Sequence, residues 1–234
     1  MPLESPAGPV RFEDDRSRDW RDIDVTLIKK SDGSVVGRAR PLDLALAAET
    51  SAARAGEIRE SGGQPGDPRT PAVPLVTLDD GDGKQVTLSC YGALPAPDVR
   101  GTEAHYRNAL PFTDLVMEST RTGFEPFLEL KDRRAVDANG TVNLTLTAEG
   151  LTARANPDGS VTFVDSETGG KAGLPPAPVM WDAQVDPRSG ERTHTLKVDR
   201  RSPNAGTRST SPSHRTPTSS PIPTPSFPSQ SIPR

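Results

Sequence analysis

PLVTLDDGDGKQVTLSC, residues 74–90, is the stretch whose pattern decides the fold. Apolar and polar residues alternate on either side of Asp79, Asp80, Gly81, Asp82 and Gly83. A period of two interrupted by an Asp-Gly turn is the signature of a hairpin. The same grammar recurs downstream in TVNLTLTAEG, residues 141–150, where Val142, Leu144 and Leu146 share one face. LTARA, the Asn156-Pro157-Asp158-Gly159 turn and SVTFVD follow, with Val161 and Phe163 on one side. Upstream, Ile23, Val25 and Leu27 alternate with Asp24 and Thr26 before a Ser31-Asp32-Gly33 turn, and residues 105–132 read as strand after strand.

Each of these strands buries one face, and no strand–helix–strand alternation occurs, so the predicted fold is all-β: a loop-rich antiparallel β-sandwich. Helix is expected only in the Ala-rich piece from Leu42 to Arg59. The pattern divides the chain into an N-terminal hairpin region (1–60), a Gly/Pro-rich linker (61–74), the sandwich (75–199) and a Ser/Pro/Thr-rich tail (200–234). Val86, Leu88, Leu115, Met117, Leu144, Leu146, Phe163 and Trp181 are the predicted core, each on the apolar side of an alternating strand.

Composition agrees with such a fold. Twenty Gly and 25 Pro in 234 residues are too many for a helical bundle. Before Arg200 the chain carries 23 basic and 32 acidic residues, and an acidic body argues against nucleic acid as a partner. The last 35 residues hold nine Ser, eight Pro, five Thr and no acidic residue, which predicts a disordered, dispensable tail. MPLESPAGPVRFEDD has neither the basic nor the apolar region of a signal peptide, and no window is apolar enough to span a membrane. Its abrupt, strand-like start suggests a missing upstream segment.

The chain offers little to chemistry. His105, His194 and His214 are scattered, no glycine-framed serine, phosphate loop or dinucleotide fingerprint occurs, and no cofactor or metal site is expected. Cys90, the single cysteine, shares a face with Val86 and Leu88 and reads as a small core residue rather than a nucleophile. Asp79, Asp80 and Asp82 could offer oxygens to calcium, but the spacing fits a hairpin turn better. Glu118, Glu125, Glu129 and Asp132 are the carboxylates from which a glycosidase pair could be drawn, Glu125 and Glu129 having the same parity. Trp181, after Pro175, Pro176 and Pro178, and Tyr91 are the aromatic candidates for a sugar, Trp181 reading first as a core plug. Asn139 and Asn143 open Asn-X-Thr sequons, which matter only in a eukaryotic secretory pathway.

Five segments in order, WRDIDVTL, GDGKQVTLSCYGALPAP, YRNALPFTDLVMESTRTGFEPFLELKDR, LTARANPDGSVTF and PAPVMWDAQVDPRSGE, resemble the N-terminal region of large secreted bacterial proteins of the DNRLRE-domain and Rhs/YD-repeat type. Many proteins of this type are grouped with polymorphic toxins. The resemblance spans most of Trp20 to Asp199 and implies a non-enzymatic, secreted β-module whose partner is the remainder of its parent polypeptide. A cell-wall glycan is the alternative ligand, and no catalytic residue is implied. Relatives would continue with a phrase like FLADPDTKFPVTIDP. The codons permitted by Ser219 to Pro233 can encode that phrase in the adjacent frame, so a frame slip near Lys197 to Arg201 is expected.

Overall fold

A computed structural model of the chain describes residues 8–14, 17–49, 72–139 and 142–198. The chain enters through a ribbon of β1 (Arg11–Glu13) and β2 (Trp20–Asp22). A meander follows: β3 (Asp24–Lys29), β4 (Val35–Ala39), β5 (Asp43–Leu46), β6 (Ala72–Asp79) and β7 (Gln85–Tyr91). A second meander comprises β8 (Asp98–Arg100), β9 (Glu103–Leu110), β10 (Thr113–Ser119) and β11 (Phe124–Leu130). After a five-residue helix, α1 (Arg134–Ala138), the chain returns as β12 (Leu144–Glu149). It ends with a three-stranded sheet, β13 (Leu151–Ala155), β14 (Val161–Asp165) and β15 (Lys171–Gly173), and a ribbon of β16 (Val179–Trp181) and β17 (Thr195–Lys197).

β12 pairs with β7, so the first sheet has six strands in the order β12-β7-β6-β5-β4-β3, and the second has four in the order β11-β10-β9-β8. All pairings are antiparallel. The two sheets share one core. Leu27, Val35, Leu44, Leu46, Leu75 and Leu88 from the first meet Ala104, Tyr106, Leu115 and Met117 from the second. This is the predicted all-β sandwich.

The turns form where the sequence places them and for the expected reasons. In the β6–β7 hairpin the Asp79 carboxylate accepts the Gly81 N–H at 2.7 Å, and that of Asp80 accepts the N–H groups of Asp82 and Lys84 at 2.9 Å each. Gly81 and Gly83 take positive φ at no steric cost. Gly150, at φ +65°, answers a different need: a Cβ there would lie 2.6 Å from the Gly83 carbonyl oxygen. Only glycine lets the β12–β13 turn lie against the β6–β7 turn. Lys84 links the same two regions, its ammonium 3.5 Å from Asp80 and 3.3 Å from Asp165 of β14.

Three expectations are corrected. The hairpin region and the later block are not separate. β5 pairs with β6, and Leu27, Val35, Leu44 and Leu46 belong to the same core as Leu75, so residues 24–46 complete the sandwich's larger sheet. Residues 72–74 of the expected linker are strand; 61–71, like 199–234, lie outside the described residues.

The Ala-rich piece forms a strand at Asp43–Leu46, and its other described residues, Leu42 and Ala47 to Glu49, are irregular. Leu44 and Leu46 are buried and Asp43 and Ala45 exposed, so a period of two overrides alanine's helix propensity; residues 50–59 lie outside the described residues. Among the described residues helix occurs at Arg134–Ala138, which the sequence reading did not expect, and there the Asp132 carboxylate accepts the Arg134 N–H at 2.8 Å.

Of the eight predicted core residues, Leu88, Leu115, Met117 and Phe163 are buried and Val86 is half-buried. Leu144, Leu146 and Trp181 are 38%, 40% and 38% exposed. Register puts both leucines on the core side, since Leu144 faces Cys90 and Leu146 faces Leu88, but β12 is the outermost strand and nothing among the described residues covers that side.

Candidate functional site

The outer face of the four-stranded sheet gathers the chain's candidate chemistry. β9, β10 and β11 send Ala104, Tyr106, Leu115, Met117 and Leu128 to the core, so alternate residues face outward. Register aligns them in rows. Glu103, Glu118 and Glu125 lie side by side across the three strands, continued by Arg100 of β8. The next row holds Asp98, His105, Val116 and Phe127. The imidazole Nε2 of His105 lies 2.8 Å from a Glu103 carboxylate oxygen, and Asp98 receives Arg100 at 2.6 Å and Arg107 at 3.3 Å.

Trp181 reaches this face from the C-terminal ribbon. Its ring meets Phe127 edge-on, with centroids 5.9 Å apart and planes at 69°, and the Arg192 guanidinium lies 5.9 Å from the indole centroid. Trp181 is therefore a partly exposed link between ribbon and sheet, not a plug in the sandwich core. Tyr91 is on the six-stranded sheet, where its hydroxyl hydrogen-bonds that of Thr145 at 2.7 Å. The two aromatic candidates share no site.

The carboxylates re-sort in the same way. Glu125 and Glu129 share a face but stand four residues apart, about 13 Å along a strand, beyond the reach of either glycosidase geometry. Glu118 pairs with Glu125, and with Glu103, which sequence reading missed although Ala104 and Tyr106 flanking His105 gave the alternation that exposes it. Asp132 is occupied by Arg134 at 2.6 Å. Partial burial, then the charges of Glu125 and Glu103, hold the Glu118 carboxyl above the usual carboxylate range.

The other candidates have structural employment. Burial pushes the Cys90 thiol up to about 11, well away from a reactive thiolate. The Asp79 and Asp80 carboxylates are spent on turn N–H groups, and no cluster among the described residues could hold a metal ion. His194 meets Asp182 at 2.8 Å far from His105 in the chain, and His214 lies outside the described residues. The Asn139 amide donates to the Pro111 and Ala135 carbonyls at 2.7 and 2.9 Å and to the Thr113 hydroxyl at 3.1 Å, so it closes α1 against the β9–β10 turn instead of standing free for a glycan.

That turn carries strain the sequence did not announce. Asn108 and Phe112 adopt φ of 53° and 54°, and a non-glycine residue held there costs on the order of 1–3 kcal/mol. Surrounding contacts hold them. Asp114 accepts the Asn108 N–H at 2.6 Å, Lys131 donates to the Asn108 side chain at 2.7 Å, and the Arg134 guanidinium stacks 4.3 Å over the Phe112 ring. Beside the turn, a dimple between the sheets bordered by Leu110, Leu128 and Leu144 has room for about one water molecule.

Acid should loosen the fold. Hydrogen bonds from Arg100 and Arg107 lower the Asp98 pKa, the Thr168 and Glu167 N–H groups lower that of Asp165, and Arg134 lowers that of Asp132. Such groups stabilise the fold above their unfolded value near 3.8, and that stabilisation is lost as pH falls through the depressed folded values. Glu118 has the opposite sign: its raised folded pKa means that its charge opposes folding at neutral pH. Thermal melts are expected to fall below about pH 4, with Glu118→Gln melting higher than the parent chain at pH 7 and converging with it in acid. A melting temperature flat down to pH 3 would refute this assignment.

Comparison with protein-family models, with curated proteins and with solved structures finds no match in any of the three.

Proposed function

We propose that this chain is a non-enzymatic structural module of a larger secreted bacterial protein of the DNRLRE or Rhs type, built to pack against neighbouring segments of its parent. The observation that carries this reading is the C-terminal ribbon. Register places Met180 directly opposite Leu196 on the face turned away from that of Trp181. Met180 is 46% and Leu196 68% exposed, and Val179, Val185 and Val198 are 40% exposed or more. A two-stranded ribbon of three-residue strands is marginal alone, and contiguous exposed apolar side chains mark a surface to be covered by protein. The five-segment resemblance supplies the parent, and the adjacent-frame reading of the tail supplies the covering segment.

Restoring the adjacent frame after residue 199 is the direct test. The restored chain is expected to melt higher and to protect the amides of 179–197 from hydrogen exchange; unchanged melting and exchange would overturn the reading. The partly exposed Trp181 and the carboxylate row favour a second reading, a carbohydrate-binding or carbohydrate-active face. Cell-wall glycans separate the two. Saturable binding abolished by Trp181→Ala would establish a lectin, turnover abolished by Glu118→Gln an enzyme, and neither is expected.

A further inference from the structure

We propose that β12 is a docking edge for a second copy of this chain, the two β12 strands pairing antiparallel about a dyad at Thr145. The sandwich has four edges and three are defended. β11 carries Pro126 between Glu125 and Glu129, β8 is three residues long and charged at both ends, and β3 gives its Leu27 N–H to the Gly101 carbonyl at 2.8 Å. Among the described residues, β12 has none of these protections. From Val142 to Ala148 the sequence VNLTLTA contains no charge, no proline and no glycine.

The edge is also unfinished. Leu144 and Leu146 are exposed although register turns them to the core side, and Leu128 of β11, from the other sheet, lines the same shallow dimple as Leu144. What fits is an uncharged antiparallel strand with apolar residues at alternate positions, and β12 itself has that pattern. With Thr145 on the dyad, Leu144 faces Leu146 of the second copy and Val142 faces Ala148, while Asn143 faces Thr147. Every pair keeps its face, because partner numbers summing to an even value preserve the alternation. Apolar side chains then close the seam from both copies, the threonines line the other face, and no like charges meet within the paired run. The proposal is independent of the parent protein proposed above.

Sedimentation of the intact chain is expected to show dissociation, across the micromolar range, from twice the 24.9 kDa chain mass to a single chain. Leu146→Lys, a change at an exposed position, should abolish the dimer while leaving the circular dichroism spectrum unchanged. Register is tested by cysteines and a thiol oxidant: Thr145→Cys should cross-link two copies, and Thr147→Cys, placed opposite Asn143, should not. A chain monomeric throughout, a dimer that survives Leu146→Lys, or cross-linking at 147 in preference to 145 would each overturn the proposal.

Discussion

Arg40→Ala is expected to cost about 3 kcal/mol or more, lowering Tm by roughly 6–12 °C. Arg40 follows β4 and is only 6% exposed, yet its side chain crosses to the second sheet. There Nη1 donates to the Ser119 hydroxyl at 3.0 Å, and Nη2 to the carbonyls of Thr120 and Gly123 at 2.9 and 2.7 Å. The β10–β11 turn is thus tied to the six-stranded sheet by one guanidinium. Burial lowers the Arg40 pKa to about 10, against the opposing charge of Asp43, so the group remains cationic at neutral pH. Nε has no partner, a residual cost that the three donated bonds outweigh. Truncation removes those bonds and orphans partly buried acceptors, which costs more than the bonds themselves contribute. Gly37 belongs to the same arrangement, because a Cβ there would stand 2.6 Å from the Arg40 Cδ. An Arg40→Ala protein melting within about 2 °C of the parent would show that water replaces the guanidinium without loss.

Tyr106→Ala should be at least as damaging, at about 3–5 kcal/mol by analogy with other buried aromatic truncations. Tyr106 is fully buried on β9 and sends its hydroxyl across the core to the Ala47 carbonyl at 2.8 Å. Ala47 donates its own N–H to the Leu75 carbonyl at 2.9 Å, so the tyrosine anchors the chain where it leaves β5 beside β6. Tyr106→Phe keeps the ring and removes only the hydrogen bond, and about 1–2 kcal/mol is expected for it. Denaturant melts of the two variants separate packing from the hydrogen bond. Equal losses would mean that the hydroxyl, not the ring, holds the sheets together.

How much of this was legible in the sequence depends on whether the information was local. The β6–β7 and β13–β14 hairpins were, because the Asp-Gly and Asn-Pro-Asp-Gly turns and the flanking alternation are contained within each segment. Parity was legible too: Leu144 and Leu146 do lie on the core side. What parity cannot convey is rank in the sheet, and a core-side leucine on the outermost strand stays half in water. The same limit misled the reading of Asp43 to Leu46, at the start of the Ala-rich piece from Leu42 to Arg59, where alanine's helix propensity competed with a period of two that gains its force only from β4 and β6 on either side. Of the candidate site, Glu118 and Glu125 were named, but their partnership with Glu103 depends on register between strands, as does the contact of Trp181 with Phe127. The left-handed Asn108 and Phe112 left no local signal, since their conformations are imposed by Asp114, Lys131 and Arg134.

The order of strands in the larger sheet also has a temporal side. Neighbours β3 to β7 are adjacent along the chain as well, so their ladders can zip as synthesis proceeds, apart from the long excursion between β5 and β6. β12 differs: it reaches β7 only after all of β8 to β11 has been made. Closing so long a loop makes it the late partner in folding, and until it arrives β7, with Leu88 and Cys90 on its inner side, is itself a bare edge. A nascent chain therefore passes through an interval in which the strand closing the larger sheet is missing, and crowding of such chains on a polysome is when wrong partners would compete with β12 for β7.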